Sequence, residues 1–406
     1  MGSLRVARYG IGESNYRAER HAILNDIRPR PSSPLAIKFL AARNHTFSKS
    51  PQMNSLAVKN RHYLAGPAVL LTIAVCGLFY VKWLPYYNRA FVAASHHAIG
   101  NSILMGTAKA PPPASWNAAL SYALAYGKAI WQAMVLGLLL GSAVQALIPA
   151  RWVLRALGKG GFGSVMTGAV MSLPGMMCTC CAAPVVAGLR ACRAAPGAAI
   201  SFWLGNSLLN PATLVFIGFV LGWQWMGLRL ALGLALVLGI GYLVDRIATP
   251  QEAGEAQQVL DQNRIEADDD TSGMFVRWLK ILTRMSARLI PEYVVLVLLM
   301  GAARAWLFPH IGPGIDASLP WILAFAVAGA LFVIPTAGEV PIIQAMLSLG
   351  MATAPAAALL LTLPPISVPS LAMLGRSFPP RILALTGACV VVGGVVAGLI
   401  AMAAGL

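Results

Sequence analysis

The sequence predicts an all-α, polytopic membrane protein: two inverted repeats, each of three transmembrane helices plus a broken or re-entrant hairpin, preceded by one extra N-terminal transmembrane helix. Three observations predict it. Of 406 residues, 58% are hydrophobic and 11% charged, with a mean hydropathy of +0.70, far from the roughly 25% charged residues of a soluble domain. Apolar segments of spanning length recur along the chain. Proline interrupts them at matching places in the two halves.

The net charge of +16 would point to nucleic acid in a soluble chain. Here the basic residues sit in a tail and in loops between apolar segments, so they read as orientation charge and no nucleic-acid partner is expected. Residues 1–62 carry eleven Lys or Arg and no sustained apolar period, which predicts a basic cytosolic tail, disordered or loosely helical. Residues 63–128 are assigned to an N-terminal span, Tyr63 to Val81, and an external connection. Lys82, Trp83, Tyr86 and Tyr87 follow that span as interface anchors. The connection contains His96-His97, a pair that reads as bland rather than as a metal site.

Further apolar segments lie at about 130–149, 163–189, 196–222, 224–245, 287–307, 319–347, 354–375 and 381–404. They group into one repeat over 129–245 and a second over 287–406, joined by a charged cytosolic linker, 246–286, that holds Asp268-Asp269-Asp270. The halves share a proline pattern. Pro184, Pro196 and Pro211 span 27 residues, and Pro341, Pro355 and Pro369 span 28.

Orientation decides how the broken segments sit. If every apolar segment crosses, 18 Lys/Arg fall on the cytosolic side and 12 outside; if 163–189 and 319–347 are re-entrant, the division becomes 24 and 6. The second arrangement obeys the positive-inside rule better. It gives each half an odd number of crossings, which inverts one copy relative to the other and predicts alternating access about a midplane site.

The chemistry centres on Pro174-Gly175-Met176-Met177-Cys178-Thr179-Cys180-Cys181-Ala182-Ala183-Pro184. Pro174 and Pro184 remove backbone donors and Gly175 permits a positive φ, so the helix is expected to break where only protein or a wet cavity can satisfy it. Thiolates prefer soft acceptors such as Cu(I), Zn(II) or trivalent arsenic. An unwound turn could therefore bring Cys178, Cys180 and Cys181 onto one solute or metal ion. Buried cysteines without any role are the alternative, and the preferred one for Cys76 and Cys389. In the second half Pro335-Thr336-Ala337-Gly338-Glu339-Val340-Pro341 occupies the matching place. Glu339 reads as the one acid deep in an apolar segment, a candidate for ion coupling. Asn206, Ser207 and Asn210 before Pro211, matched by Ser367 before Pro369, are polar breaks that could contact solute or hold helices together. Arg190, Arg193 and Lys159 read as interface anchors, and Gln344 and Thr336 as weaker site candidates.

With these residues in view, the chain resembles the predicted-permease family that includes the trivalent organoarsenical efflux permeases. The likeness rests on Leu173-Pro174, Cys178-Thr179-Cys180-Cys181, the run Pro184 to Arg190, Pro196-Gly197-Ala198-Ala199 and Leu209-Asn210-Pro211. It continues in Glu339-Val340-Pro341-Ile342-Ile343 and Ser367-Val368-Pro369, and covers about residues 130–404. Family members commonly carry Cys-Ser-Cys-Gly at the thiol run, so Thr179 and Cys181 depart from the pattern, as does Gly338-Glu339 where Ser-Asp is usual.

The resulting expectation is a secondary transporter, not an enzyme, in the cytoplasmic (inner) membrane. Its solute would be a soft metal, a metalloid or an organoarsenical-type compound, moved outward through a site at the two broken hairpins. No nucleotide-binding signature is read, so energy would come from an ion gradient, with protons the candidate, or from a partner subunit. No cofactor is expected; the partners are the solute and the bilayer, with a homo-oligomer left open. The other reading is a membrane thiol-redox protein that cycles the Cys-Thr-Cys-Cys thiols.

Overall fold

The structure, a computed structural model, describes residues 66–105, 111–248, 273–308 and 312–405. The expectations for the 1–62 tail and for the linker acids around Asp268 lie outside them. The described residues belong to one compact unit, and all of its regular elements are helical.

α1 is Gly66–His96, with a π-helical turn at Phe79–Trp83. It does not stop at Val81. The expected connection is half helix: Pro85 follows the π turn directly, and the widened turn accommodates a proline inside a continuing helix. Lys82 is consequently mid-helix and buried, not an interface anchor. α2, Trp116–Leu147, begins well before the apolar window at 130. Its first turns are amphipathic, with Tyr122 and Tyr126 turned inward and Leu120 and Leu124 outward, a pattern that a search for unbroken apolar runs passes over.

There follow α3 (Ala150–Leu157), α4 (Gly161–Ser172), α5 (Thr179–Ala191), α6 (Pro196–Leu208), α7 (Pro211–Val220) and α8 (Trp223–Ile247). After the linker come α9 (Met274–Leu307), α10 (Leu319–Leu331), α11 (Glu339–Ser348), α12 (Thr353–Thr362), α13 (Val368–Leu374) and α14 (Pro380–Ala404). The order repeats: a long helix, a short pair around a break, a second short pair around a break, then a 25-residue helix. Among the described residues, six segments are long and apolar enough to cross a membrane: α1, α2, α6 with α7, α8, α9 and α14.

α4 and α5 are 12 and 13 residues long, about 18–20 Å, too short for a hydrocarbon core of about 30 Å. They form a hairpin. α4 runs beside α6 in the same direction: a Cβ at Gly168 would meet the Ala198 carbonyl at 2.2 Å, and one at Gly205 would meet Ser172 Oγ at 2.3 Å. α5 runs against α6, since Trp203 Nε1 reaches back to the Thr179 carbonyl at 3.1 Å. Asp245 closes the open end, accepting from the Gly161 N–H at 2.8 Å and the Gly197 N–H at 2.6 Å. A carboxylate there satisfies orphan donors of two helix N-termini together. The α2 glycines of a Gly137-x3-Gly141 pair let α5 approach its backbone, where any Cβ would lie 2.2–2.3 Å from the Cys181 and Pro184 carbonyls.

α10 and α11 repeat the device at the opposite end. The Ala352 N–H donates to the Ile315 carbonyl at 3.1 Å, joining the entries of α12 and α10. Gln344 in α11 donates to the His97 carbonyl, and His97 Nδ1 lies 2.8 Å from the Phe219 carbonyl. The ends of α1, α7 and α11 therefore meet away from Asp245. His97 is the left-handed C-cap of α1, with φ 49, which explains that histidine without a metal.

Pro184 does not break its segment. It lies inside α5, and the interruption is confined to residues 173–178. Arg190 is also relocated: it is buried, donates to the Ala194 carbonyl at 2.5 Å and stacks over Phe378, so it serves the C-terminal turn of α5 and not a lipid interface.

Candidate functional site

The two hairpin tips carry the site, and each is shaped by one left-handed residue. Met176 has φ 48 and Ala337 has φ 64; each sits two positions before the side chain of interest, Cys178 in one tip and Glu339 in the other. Gly175 does not supply the positive φ expected of it. Its role is close approach, because a Cβ there would lie 2.2 Å from Asn206 Oδ1. Non-glycine residues in this region cost on the order of 1–3 kcal/mol and persist only where surroundings impose them.

Unwinding frees carbonyls, and aromatic donors meet them. Trp83 Nε1 donates to the Pro174 carbonyl at 2.9 Å. At the other tip Tyr122 donates to the Val333 carbonyl and Tyr126 to the Ile334 carbonyl at 3.5 Å. Tyr126 is itself held by Tyr293, 2.7 Å away.

The three thiols divide two to one. Cys178 is the N-cap of α5 and Cys181 lies one turn in, on the same side, with their sulfurs 3.0 Å apart. Cys180 turns away and meets Ser367 Oγ at 3.7 Å. All three are buried and free. Among the described residues, no group of three or more His, Cys, Asp or Glu side chains could hold a metal ion. The trio therefore does not form a three-thiol ligand set here, because positions i and i+2 at a helix start diverge by about 200°. Cys76 is exposed and Cys389 half-buried, away from this cluster.

Glu339 is buried and ion-paired: its Oε1 accepts from Arg229 Nη2 at 3.2 Å. The same guanidinium donates to the carbonyls of Ser207 at 2.8 Å, Leu208 at 3.2 Å and Leu360 at 2.7 Å. These carbonyls lie where α6 and α12 approach their breaks, so Arg229 ties both interrupted helices to the second hairpin tip. Between the tips is a gap of about 10 Å³, lined by Cys178, Ser207, Thr336 and Glu339, about the room one water needs. Three buried polar atoms nearby have no partner: Glu339 Oε2, Asn206 Oδ1 and Asn210 Nδ2. Such groups are rare in buried cores, and each is a place where a water, an ion or a ligand could bind.

Asn210 and Ser367 have structural duties. Asn210 Oδ1 accepts from the Ala212 and Thr213 N–H groups at 3.1 and 3.3 Å, capping α7. Ser367 caps α13 through a capping box with Ser370. Each stands just before a proline in the first turn, so the two polar breaks are helix starts of one design. Asn206 donates to the Phe202 carbonyl at 2.9 Å and turns its oxygen toward the first tip.

Four residues that hold the site or its hairpins are not singled out for it by the sequence reading. Arg229 and Arg304 sit inside apolar spans and Lys82 just after one, while Asp245 ends one. A lone charge within an apolar helix is the available signal, and a search for buried acids alone passes over the basic ones. Arg304 is buried and donates to the Leu104 and Ala118 carbonyls at 3.3 Å each. Lys82 donates to Thr336 Oγ1 at 3.1 Å, placing α1 against the second tip just as Trp83 places it against the first.

The ArsP_1 family, described as predicted permease, matches residues 115–403. The UPF0718 protein YraQ of Escherichia coli (strain K12) is 51% identical over 338 residues, 83% of this chain and 94% of that protein. No solved structure matches.

Proposed function

Because the chain belongs to the predicted-permease family ArsP_1, we propose that it is a secondary permease of the inner membrane that exports a soft metal, metalloid or organoarsenical-type solute. Cys178 and Cys181 contact the solute, and Glu339 couples its passage to protons. The observation that carries this reading is the pair of sulfurs 3.0 Å apart at one hairpin tip, of which that of Cys178 lines a gap whose other wall is the Thr336 and Glu339 tip. Two thiols presented together suit a soft acceptor. A carboxylate with one oxygen paired and one free suits an exchangeable proton.

The halves act as inverted repeats in this proposal. Support comes from the Asp245 contacts at the entry of one hairpin and the Ile315 and His97 contacts at the other. Burial of Lys82, Arg229 and Arg304 also removes three of the six basic residues assigned to the outer side, which sharpens the charge bias. Each hairpin then gates the midplane from its own side, and the water-sized gap corresponds to a state closed to both.

Uptake of trivalent methylarsenite into everted vesicles under an imposed proton gradient tests the proposal. Uptake should need the gradient and fall to background in Cys178→Ser and Cys181→Ser. Transport indifferent to both substitutions would overturn the thiol site. The same sulfur pair also fits the thiol-redox reading, which predicts disulfide turnover without net solute flux.

A further inference from the structure

Beside the hairpin tips lies a second, much larger space, a cavity of about 660 Å³ bounded by α1, α2 and the second tip. Its polar lining is one-sided. Lys82, Arg89, Tyr86, Asn101, Gln132 and Thr336 face it, and no Asp or Glu is among the described residues that do.

Lys82 is the unusual member. It is 3% exposed, on the π-helical turn of α1, a local widening that often accompanies function. Its ammonium reaches Thr336 Oγ1 at 3.1 Å and Tyr86 OH at 3.4 Å and lies over the Tyr86 ring. Two hydroxyls and a ring face engage the cation without neutralising it. The carboxylate of Glu339, next to the cavity-lining Gly338, is paired with Arg229 instead. No carboxylate pairs with the ammonium among the described residues, and the ionisable groups that act on it are the Tyr86 phenol and the thiols of Cys181 and Cys178; a buried cation so weakly compensated is costly, and an anion in the cavity would relieve it. Thr336 lines both this cavity and the gap that holds Cys178, so a solute entering here passes from the ammonium to the thiols across one side chain.

We infer that the solute is anionic, and that Lys82 is the cation that receives its charged group while a soft atom of the same solute reaches Cys178 and Cys181. This rests on the thiol reading above and narrows it: carboxylated, sulfonated or otherwise anionic trivalent compounds would bind more tightly than neutral ones, which still reach the thiols. α1, which carries Lys82, lies outside the 115–403 family match.

Phenylarsine oxide and its para-carboxylated analogue present the same trivalent arsenic, one neutral and one anionic. Binding of each to the purified full-length protein should favour the anion by about tenfold or more, as expected for one charge-assisted hydrogen bond. Lys82→Ala or Lys82→Met should bring the two affinities together, the anionic probe losing the more, and Lys82→Arg should keep the preference. The wild-type ratio needs no variant to be read. Equal affinities in the wild type, or a preference that survives Lys82→Ala, would overturn the inference while leaving the thiol site standing. Binding of neither probe, or binding indifferent to Cys178→Ser, would remove the thiol site and this inference with it.

Discussion

Arg229 Nη2 lies 3.2 Å from Glu339 Oε1, with both side chains buried, and the same guanidinium holds carbonyls from α6 and α12. The ion pair is therefore the point where both interrupted helices and the second hairpin are fastened. In the proposed transport cycle, movement of that hairpin opens the pair, and a proton on Glu339, by weakening it, would link gating to protonation through one contact.

Removing one partner of a buried pair leaves an uncompensated charge, at a cost of about 3–5 kcal/mol. Arg229→Met should incur that loss in full, read as a lowered Tm. Glu339→Gln should destabilise less, because its amide oxygen can still accept from Arg229, yet should abolish proton-coupled flux. An active Gln variant that still responds to the gradient would take Glu339 out of the coupling.

The thiols should separate by position. Cys178→Ser and Cys181→Ser each remove one of two adjacent sulfurs and should each weaken phenylarsine oxide binding by at least about tenfold, as loss of one soft ligand implies. Cys180→Ser, whose sulfur faces Ser367, should bind near the wild-type level. Equal losses at all three positions would mean that the tip rearranges to present the whole trio.

Much of this site was legible because its signals are local. Proline around a small-residue run announces a break, and thiols or a carboxylate at such depth announce chemistry, so Cys178, Cys181 and Glu339 could be found by reading along the chain. What could not be read is which side chains meet the freed backbone. Trp83, Tyr122 and Tyr126 lie far from the carbonyls they serve, and no periodicity encodes a contact 91, 211 or 208 residues away. The direction of the thiols was hidden for a related reason: it depends on where α5 starts, and the left-handed residue that sets the start proved to be Met176, not Gly175. Lys82 escaped because hydropathy falls after Val81 although the helix continues to His96.

Gly175 should tolerate nothing larger. A Cβ would lie 2.2 Å from Asn206 Oδ1, so Gly175→Ala must displace the Asn206 side chain, which is held by the Phe202 carbonyl, and should cost about 1–3 kcal/mol along with transport. Gly163→Ala, in α4 with nothing within 4 Å, is the control and should change neither.

Asp245 accepts from two backbone N–H groups at distances of 2.6 and 2.8 Å, and hydrogen bonds to a charged group contribute about 1.5–3 kcal/mol each. Asp245→Ala should lower Tm and raise amide exchange at Gly161 and Gly197, with little change in exchange around Ala352 at the opposite end. Uniform loosening of both ends would mean that the carboxylate supports the whole bundle and not one hairpin.

The phenols of α2 offer the most direct test that the second tip is held from outside itself. Tyr122 and Tyr126 are buried and donate to consecutive carbonyls, those of Val333 and Ile334. Phenylalanine keeps the ring and its packing but leaves a buried carbonyl without a donor, at about 1–3 kcal/mol. Tyr122→Phe should be the more damaging, since the Tyr126 contact, at 3.5 Å, is at the outer limit of a hydrogen bond. Tyr126→Phe additionally strands the Tyr293 hydroxyl. The double variant should lose roughly the sum, because the two carbonyls are separate acceptors. It should also expose residues 332–338 to exchange while residues 173–178 stay protected. If the first tip loosens equally, the hairpins are coupled through the gap between them, and the gate is one unit instead of two.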